Sequence, residues 1–186
     1  MKRFAKIAAL LAVAAVLAGT TGCFKVLKLF SVATGNLSAV NGPTSAGKYI
    51  VLADESSDYA DNKDKLKTID EYGLLGTIKN NLAAPVTAEV WIVENPSGSA
   101  LLGDKTAVQN AGGRKLLTMD LQANETKQIT WGNSWFALFT PANDPVVDEL
   151  LGDATFTIYV FGSTATYDID VTNAVFYVSA YIGNLF

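Results

Sequence analysis

From residue 74 onward, hydrophobic and polar residues alternate with a period of two in short runs. LLGTIKN (74–80), VTAEVWIVE (86–94), RKLLTMDL (114–121), TKQITW (126–131) and ATFTIYVFG (154–162) are β-branched and aromatic. The turn formers NNLAAP, NPSGS and QANE separate them, which is the signature of strands joined by tight turns. In 154–162, threonine alternates with Phe156, Ile158 and Val160, as in a sheet with one buried and one wet face. YDIDVTNAVFYVSAYIG (167–183) reads as one bent strand or two, with a bulge near Asn173 and Ala174. DPVVDELL (144–151) predicts a short helix, with Asn143 or Asp144 as N-cap and Gly152 as stop.

The first part of the chain is less regular. FKVLKLFSV (24–32) reads as a first strand or a membrane-proximal segment, and YIVLA (49–53) as a short strand or an apolar plug. Between them, ATGNLSAVNGPTSAGK (33–48) has the small, polar, Gly/Pro-broken composition of a flexible linker. Tyr59, Ala60, Leu66, Ile69 and Tyr72 form a partial helical stripe, predicting an amphipathic helix around 58–71. Together these elements predict a mainly β domain over 49–186. Its expected form is an antiparallel β-sandwich of about seven strands with one or two short helices. GTIKNNLAAPVTAEVWIV (76–93) resembles a strand–turn–strand unit of immunoglobulin-like domains of the plant desiccation-protein type, which implies an immunoglobulin-like sandwich.

The leader carries a different message. Lys2, Arg3 and Lys6 precede an uncharged apolar stretch, Ile7 to Ala18. That is the length of a signal-peptide core, whereas a membrane-spanning helix takes about 20 apolar residues. Gly19, Thr20, Thr21, Gly22 and Cys23 follow, and Cys23 is the only cysteine in the chain. Small residues before a lone cysteine resemble the lipobox of bacterial lipoproteins, with Thr20 where that family usually has leucine. The resemblance implies that residues 1–22 are a cleaved signal. It also implies a Cys23 thiol joined to diacylglycerol and a new N-terminus acylated in turn, with palmitate among the chains. The membrane is then a partner through covalent lipid, and two or more chains anchor stably where one is marginal. Residues 23–48 become anchor and linker. Phe24, rather than aspartate, at the next position implies the outer membrane in a Gram-negative envelope. Ordinary signal cleavage after Ala18, where Val16 and Ala18 fit the site, is the alternative and would leave a soluble protein.

Composition narrows the function. Loss of residues 1–22 removes three of the 14 basic residues and none of the 18 acidic ones, leaving a formal charge of −7. That opposes nucleic-acid binding and an electrostatic grip on anionic lipid. The chain has no histidine, which excludes Ser-His-Asp and Cys-His nucleophilic sites and histidine-ligated metal.

Several constellations have the composition of a site. Asp54, Glu55, Asp58, Asp61 and Asp64 have the oxygen ligands calcium needs. Ala60 and Lys65 interrupt the alternation, however, and no glycine supplies the sharp turn. A solvated acidic surface accounts for them more simply. Trp131, Trp135, Phe136 and Phe139 cluster in WGNSWFALF, where exposed rings would stack on sugars or a partner and Asn133 would orient hydroxyls. Packing into the sandwich core is the simpler expectation for those rings. Asp168 and Asp170 share one face of a strand, as a two-carboxylate hydrolase site requires, although outward acids on a strand edge, where they guard against edge-to-edge pairing, are the far commoner arrangement. Gly112 and Gly113 read as a turn, not a phosphate loop.

No catalytic constellation, metal site or cofactor site is expected. The expected function is a lipid-anchored, non-enzymatic module of the cell envelope that binds an envelope protein. A carbohydrate-binding module built on Trp131 and Trp135 is the alternative. A small outer-membrane β-barrel is a third reading, prompted by the terminal Phe186, but too few ten-residue amphipathic strands are evident for it.

Overall fold

A computed structural model of the chain describes residues 26–40, 47–94, 100–134 and 145–183. Eight strands run in order: β1 (Val26–Val40), β2 (Gly47–Val51), β3 (Leu66–Asn80), β4 (Val86–Glu94), β5 (Arg114–Leu121), β6 (Thr126–Ile129), β7 (Thr155–Gly162) and β8 (Asp168–Ile182). Short helices α1 (Leu52–Glu55), α2 (Ser57–Ala60), α3 (Lys105–Asn110) and α4 (Pro145–Leu151) lie between them.

The strands form two four-stranded sheets, β1-β8-β3-β6 and β2-β7-β4-β5, in which every pair is antiparallel. The expected β-sandwich is therefore present, with eight strands. Its winding differs from an immunoglobulin sandwich, where the first two strands are neighbours in one sheet. Here β1 and β2 lie in opposite sheets, and the first strand pairs with the last. This alternation between two four-stranded sheets is a jelly-roll order. The described strands thus form two separate sheets rather than one closed barrel.

Alternation along each strand explains the burial. Phe30, Val32, Leu37 and Ala39 of β1 and Ile169, Val171, Phe176, Val178 and Ala180 of β8 turn inward. They meet Ile92, Val90 and Ala88 of β4 and Phe156, Ile158 and Val160 of β7 in one continuous core. β8 is the central spine of its sheet, pairing with β1 on one side and β3 on the other.

The expected bulge in β8 is present. Asn173 is left-handed (φ 51°), and the register with β3 shifts between Leu75 and Thr77, opposite it. β1 bends at the same level through Gly35 (φ 72°), where its register with β8 shifts twice. Asparagine and glycine tolerate that backbone, so three neighbouring strands bend together without strain.

Two expectations for the first part of the chain change. The linker predicted for 33–48 is strand as far as Val40, and Gly47 already belongs to β2; residues 41–46 lie outside those described. Small side chains conceal this strand: Thr34 and Ala39 are buried, and Thr34 Oγ1 donates to the Ala174 carbonyl at 3.2 Å. The sandwich consequently already includes Val26–Val40, ahead of the boundary expected at residue 49. The helix predicted over 58–71 is also absent as such. Only α2 and a 3₁₀ turn at Lys63–Lys65 are helical there, and β3 starts at Leu66.

A second, smaller apolar cluster covers the outside of the β2-β7-β4-β5 sheet. Trp91, Val93, Tyr159 and Phe161 are buried under Val108 of α3, with Leu101 and Leu102 packed against them. Asp104 caps α3 by accepting from the Ala107 amide at 2.8 Å. Glu89 accepts from Trp91 Nε1 at 3.1 Å and pairs with Lys105 and Lys115. Burial opposes ionisation of Glu89, but these donors outweigh it and hold the carboxyl below the usual range.

Candidate functional site

Trp131 follows β6 and folds back over the outer face of the β1-β8-β3-β6 sheet. Its ring lies against Tyr177 of β8, with centroids 3.9 Å apart and planes tilted by 43°. Gly73 of β3, register partner of Tyr177, permits this arrangement. A Cβ at position 73 would fall 2.5 Å from the Tyr177 hydroxyl oxygen. Burial, reinforced by the nearby Glu71 carboxylate, pushes the Tyr177 hydroxyl far above its ordinary pKa.

The expectation that Trp131 belongs to the core is corrected by this geometry. The residue lies on an outer sheet face and is 42% exposed. Trp135, Phe136 and Phe139 lie outside the described residues. Asn133 is placed beside Trp131, but its amide holds its own turn. Oδ1 accepts from the Thr130 amide at 2.7 Å and Nδ2 donates to the Gln128 carbonyl at 2.9 Å. Those bonds fix the approach of Trp131 and leave Asn133 poorly placed to read a ligand hydroxyl. Beside the turn, a groove of about 280 Å³ runs between Lys115–Thr118 of β5 and Gly132–Ser134. Replacing Gly73 with alanine is expected to displace Tyr177 from beneath Trp131 and to cost about 1–3 kcal/mol. Urea denaturation and tryptophan fluorescence would show it; an unchanged spectrum and midpoint would contradict the packing described.

The two aspartates of β8 do share a face. Asn81 Nδ2 donates to Asp168 at 3.0 Å and to Asp170 at 2.7 Å, and Ser38 Oγ donates to Asp170 at 2.7 Å. Their strand is central rather than at an edge, so the edge-protection reading does not apply. The bonds from Ser38 and Asn81 lower the Asp170 pKa, which suits a structural acceptor better than a general acid.

The acidic segment is dispersed. Asp54 and Glu55 lie in α1, Asp58 pairs with Lys28 at 2.5 Å, and Asp64 lies in the 3₁₀ turn. Among the described residues, no three carboxylates converge as a metal site. Tyr59, from the same segment, is buried. It stacks edge-on against Phe30 (5.5 Å) and donates its hydroxyl to the Leu150 carbonyl at 2.7 Å.

One pair escaped the sequence reading. Glu149 of α4 and Asp153, four residues on, hydrogen-bond through their carboxyls, and both accept from the Thr155 amide (2.6 and 3.2 Å). Burial first, then Asp153 and Glu94, push Glu149 up to about 7, while the bond from Glu149 lowers Asp153. The pair shares one proton near neutrality. The i, i+4 spacing was the available signal, but it did not reveal that the helix end tucks both groups against β7. Because the folded state holds the Glu149 proton more tightly than the unfolded state does, this stability is present below pH 4.5. It is lost as pH rises toward 7. Partial exposure limits the effect to about 1 kcal/mol. Glu149→Gln is expected to flatten that decline in the denaturation midpoint between pH 4.5 and 7.5; an equal decline in both proteins would contradict the shared proton.

No protein-family model matches the chain. No curated protein matches it either. Among solved structures, it is similar to Desmodium yellow mottle tymovirus (12% identity, TM-score 0.31, covering 89% of this chain and 91% of that one). It is also similar to the Kashmir bee virus virion at neutral pH (12%, TM-score 0.30, covering 83% and 74%). Turnip yellow mosaic virus gives 13% identity and a TM-score of 0.29, covering 89% and 97%. The jelly-roll order stands on the strand pairing of this chain, independently of these likenesses.

Proposed function

We propose that this chain is a lipid-anchored cell-envelope protein whose sandwich acts as a structural or protein-interaction module, without catalysis. The observation that carries the reading is Cys23, the only cysteine, placed at the end of a basic, apolar and then small-residue leader. Phe24 supports the outer membrane as its destination. The strand β1 alters the mechanics expected from the sequence. Only Phe24 and Lys25 separate Cys23 from Val26, so the domain rides close to its anchor instead of on a long tether. Non-enzymatic action is supported by the commitments of the polar groups: Asp168 and Asp170 are tied to Asn81, and Asn133 to its own turn.

The test is in-cell crosslinking of a C-terminally tagged chain, followed by mass spectrometry. One envelope protein near stoichiometry, lost with Cys23→Ala, is the expected result; no protein above background would contradict an interaction role. The half-exposed Trp131 ring, supported by Tyr177, favours a second reading as a carbohydrate-binding module. Glycan-array binding that disappears in Trp131→Ala would establish it, and an array without signal would dismiss it.

A further inference from the structure

β1 is an edge strand: it pairs with β8 and has no other strand neighbour among the described residues. Its first residues break the alternation that keeps apolar side chains inside. Phe30 and Val32 face the core, so Leu27 and Leu29 face outward, where they are 51% and 55% exposed. Val26 is exposed as well. Tyr181 of β8 lies directly opposite Leu27 and extends this apolar corner across the same outer face. Trp131 and Tyr177 occupy that face further inward.

We propose that this corner of β1 is a membrane-contacting surface, with Leu27, Leu29 and Tyr181 seated in the headgroup region of the bilayer that holds the acyl chains of Cys23. The proposal rests on the lipoprotein reading. Three steps of about 3.8 Å place Val26 within about 11 Å of Cys23, so the start of β1 cannot leave the interface. A tyrosine beside aliphatic side chains is suited to that zone. Glu71, opposite Ser179 on this face, sits on β3, two strands in from the edge, while Asp168 and Asp170 lie at the far end of β8, opposite Val40 and Ser38, so these acids stay clear when the sandwich leans onto the start of β1. The mature charge of −7 opposes electrostatic attraction, so the contact is apolar and insensitive to salt.

The lipidated full chain allows a direct test, because its only native cysteine is blocked by lipid. Leu29→Cys, Leu27→Cys and, as a control, Gln109→Cys on the opposite outer face each give one reactive thiol for a fluorophore. The proteins are reconstituted in phosphatidylcholine vesicles containing nitroxide-labelled lipid, and intact mass confirms the lipid at Cys23. Quenching roughly twofold or more stronger at 27 and 29 than at 109, unchanged by salt, is expected for groups about 5–10 Å into the interface. Equal quenching at all three sites in a lipidated chain overturns the inference and leaves the anchor standing. Protection from aqueous iodide at 27 and 29 without lipid quenching shows that protein, such as a second copy, covers β1, and also overturns it. A chain without lipid at Cys23 overturns both readings.

Discussion

Phe176→Ala is expected to destabilise the domain by about 3–5 kcal/mol, the range for emptying a buried aromatic site. Phe176 is fully buried on β8, the strand that joins β1 to β3. Its ring lies 4.6 Å from Phe156 of the facing sheet and 6.3 Å from Tyr72. Val32 and Leu74 are its register partners on either side. The surrounding strands are pinned by their ladders and cannot collapse into the space. The melting temperature should fall by roughly 10 °C or more. Val40→Ala, at an exposed position at the far end of β1, should change stability by less than about 0.5 kcal/mol. Equal effects of the two substitutions would contradict the core assignment.

Cys23→Ala is expected to abolish incorporation of radiolabelled palmitate while leaving the sandwich folded. The thiol is the one nucleophile that can form the thioether, and the chain has no second cysteine to replace it. The core of the described sandwich is built from Phe30 onward, so the substitution is expected to leave it intact. Metabolic labelling followed by gel autoradiography checks the first point, and circular dichroism of the purified variant checks the second. Undiminished label in the variant would place the lipid on another residue and contradict the assignment to Cys23.

How far the fold was legible depended on whether local pattern matched local environment. The strands from residue 74 onward show clear alternation and turn formers, and β4, β5 and β7 fall where the pattern places them. Even the bend at Asn173 is visible, because asparagine within a β-branched run has few other reasons to be there. The misleading helical stripe has a definite cause. β3 has register shifts between Leu66 and Thr68 and between Ile69 and Glu71. These bulges leave buried Ile69 and Tyr72 three residues apart, a spacing that mimics a helix. The second half of β1, from Ala33 to Val40, was hidden for the opposite reason: small residues and Gly35 look like a tether, yet an edge strand that bends accepts them. The winding of the sheets was not legible at all, since it depends on pairings between strands far apart in sequence.

The candidate site was partly legible. Trp131 was identified, but its place outside the sheet depends on Gly73 leaving room for Tyr177, a relation across two strands. The carboxyl pair of Glu149 and Asp153 depends on how α4 ends against β7, which alternation does not encode. The proposed membrane-contacting corner of β1 combines the leader with the exposed Leu27 and Leu29 of that strand.

The most direct test of the central claim is the intact mass of the chain purified from membranes. A polypeptide beginning at Cys23 and carrying diacylglycerol with a further acyl chain is the expected result. An unmodified polypeptide beginning at Gly19, or one retaining Met1 without lipid, would contradict it.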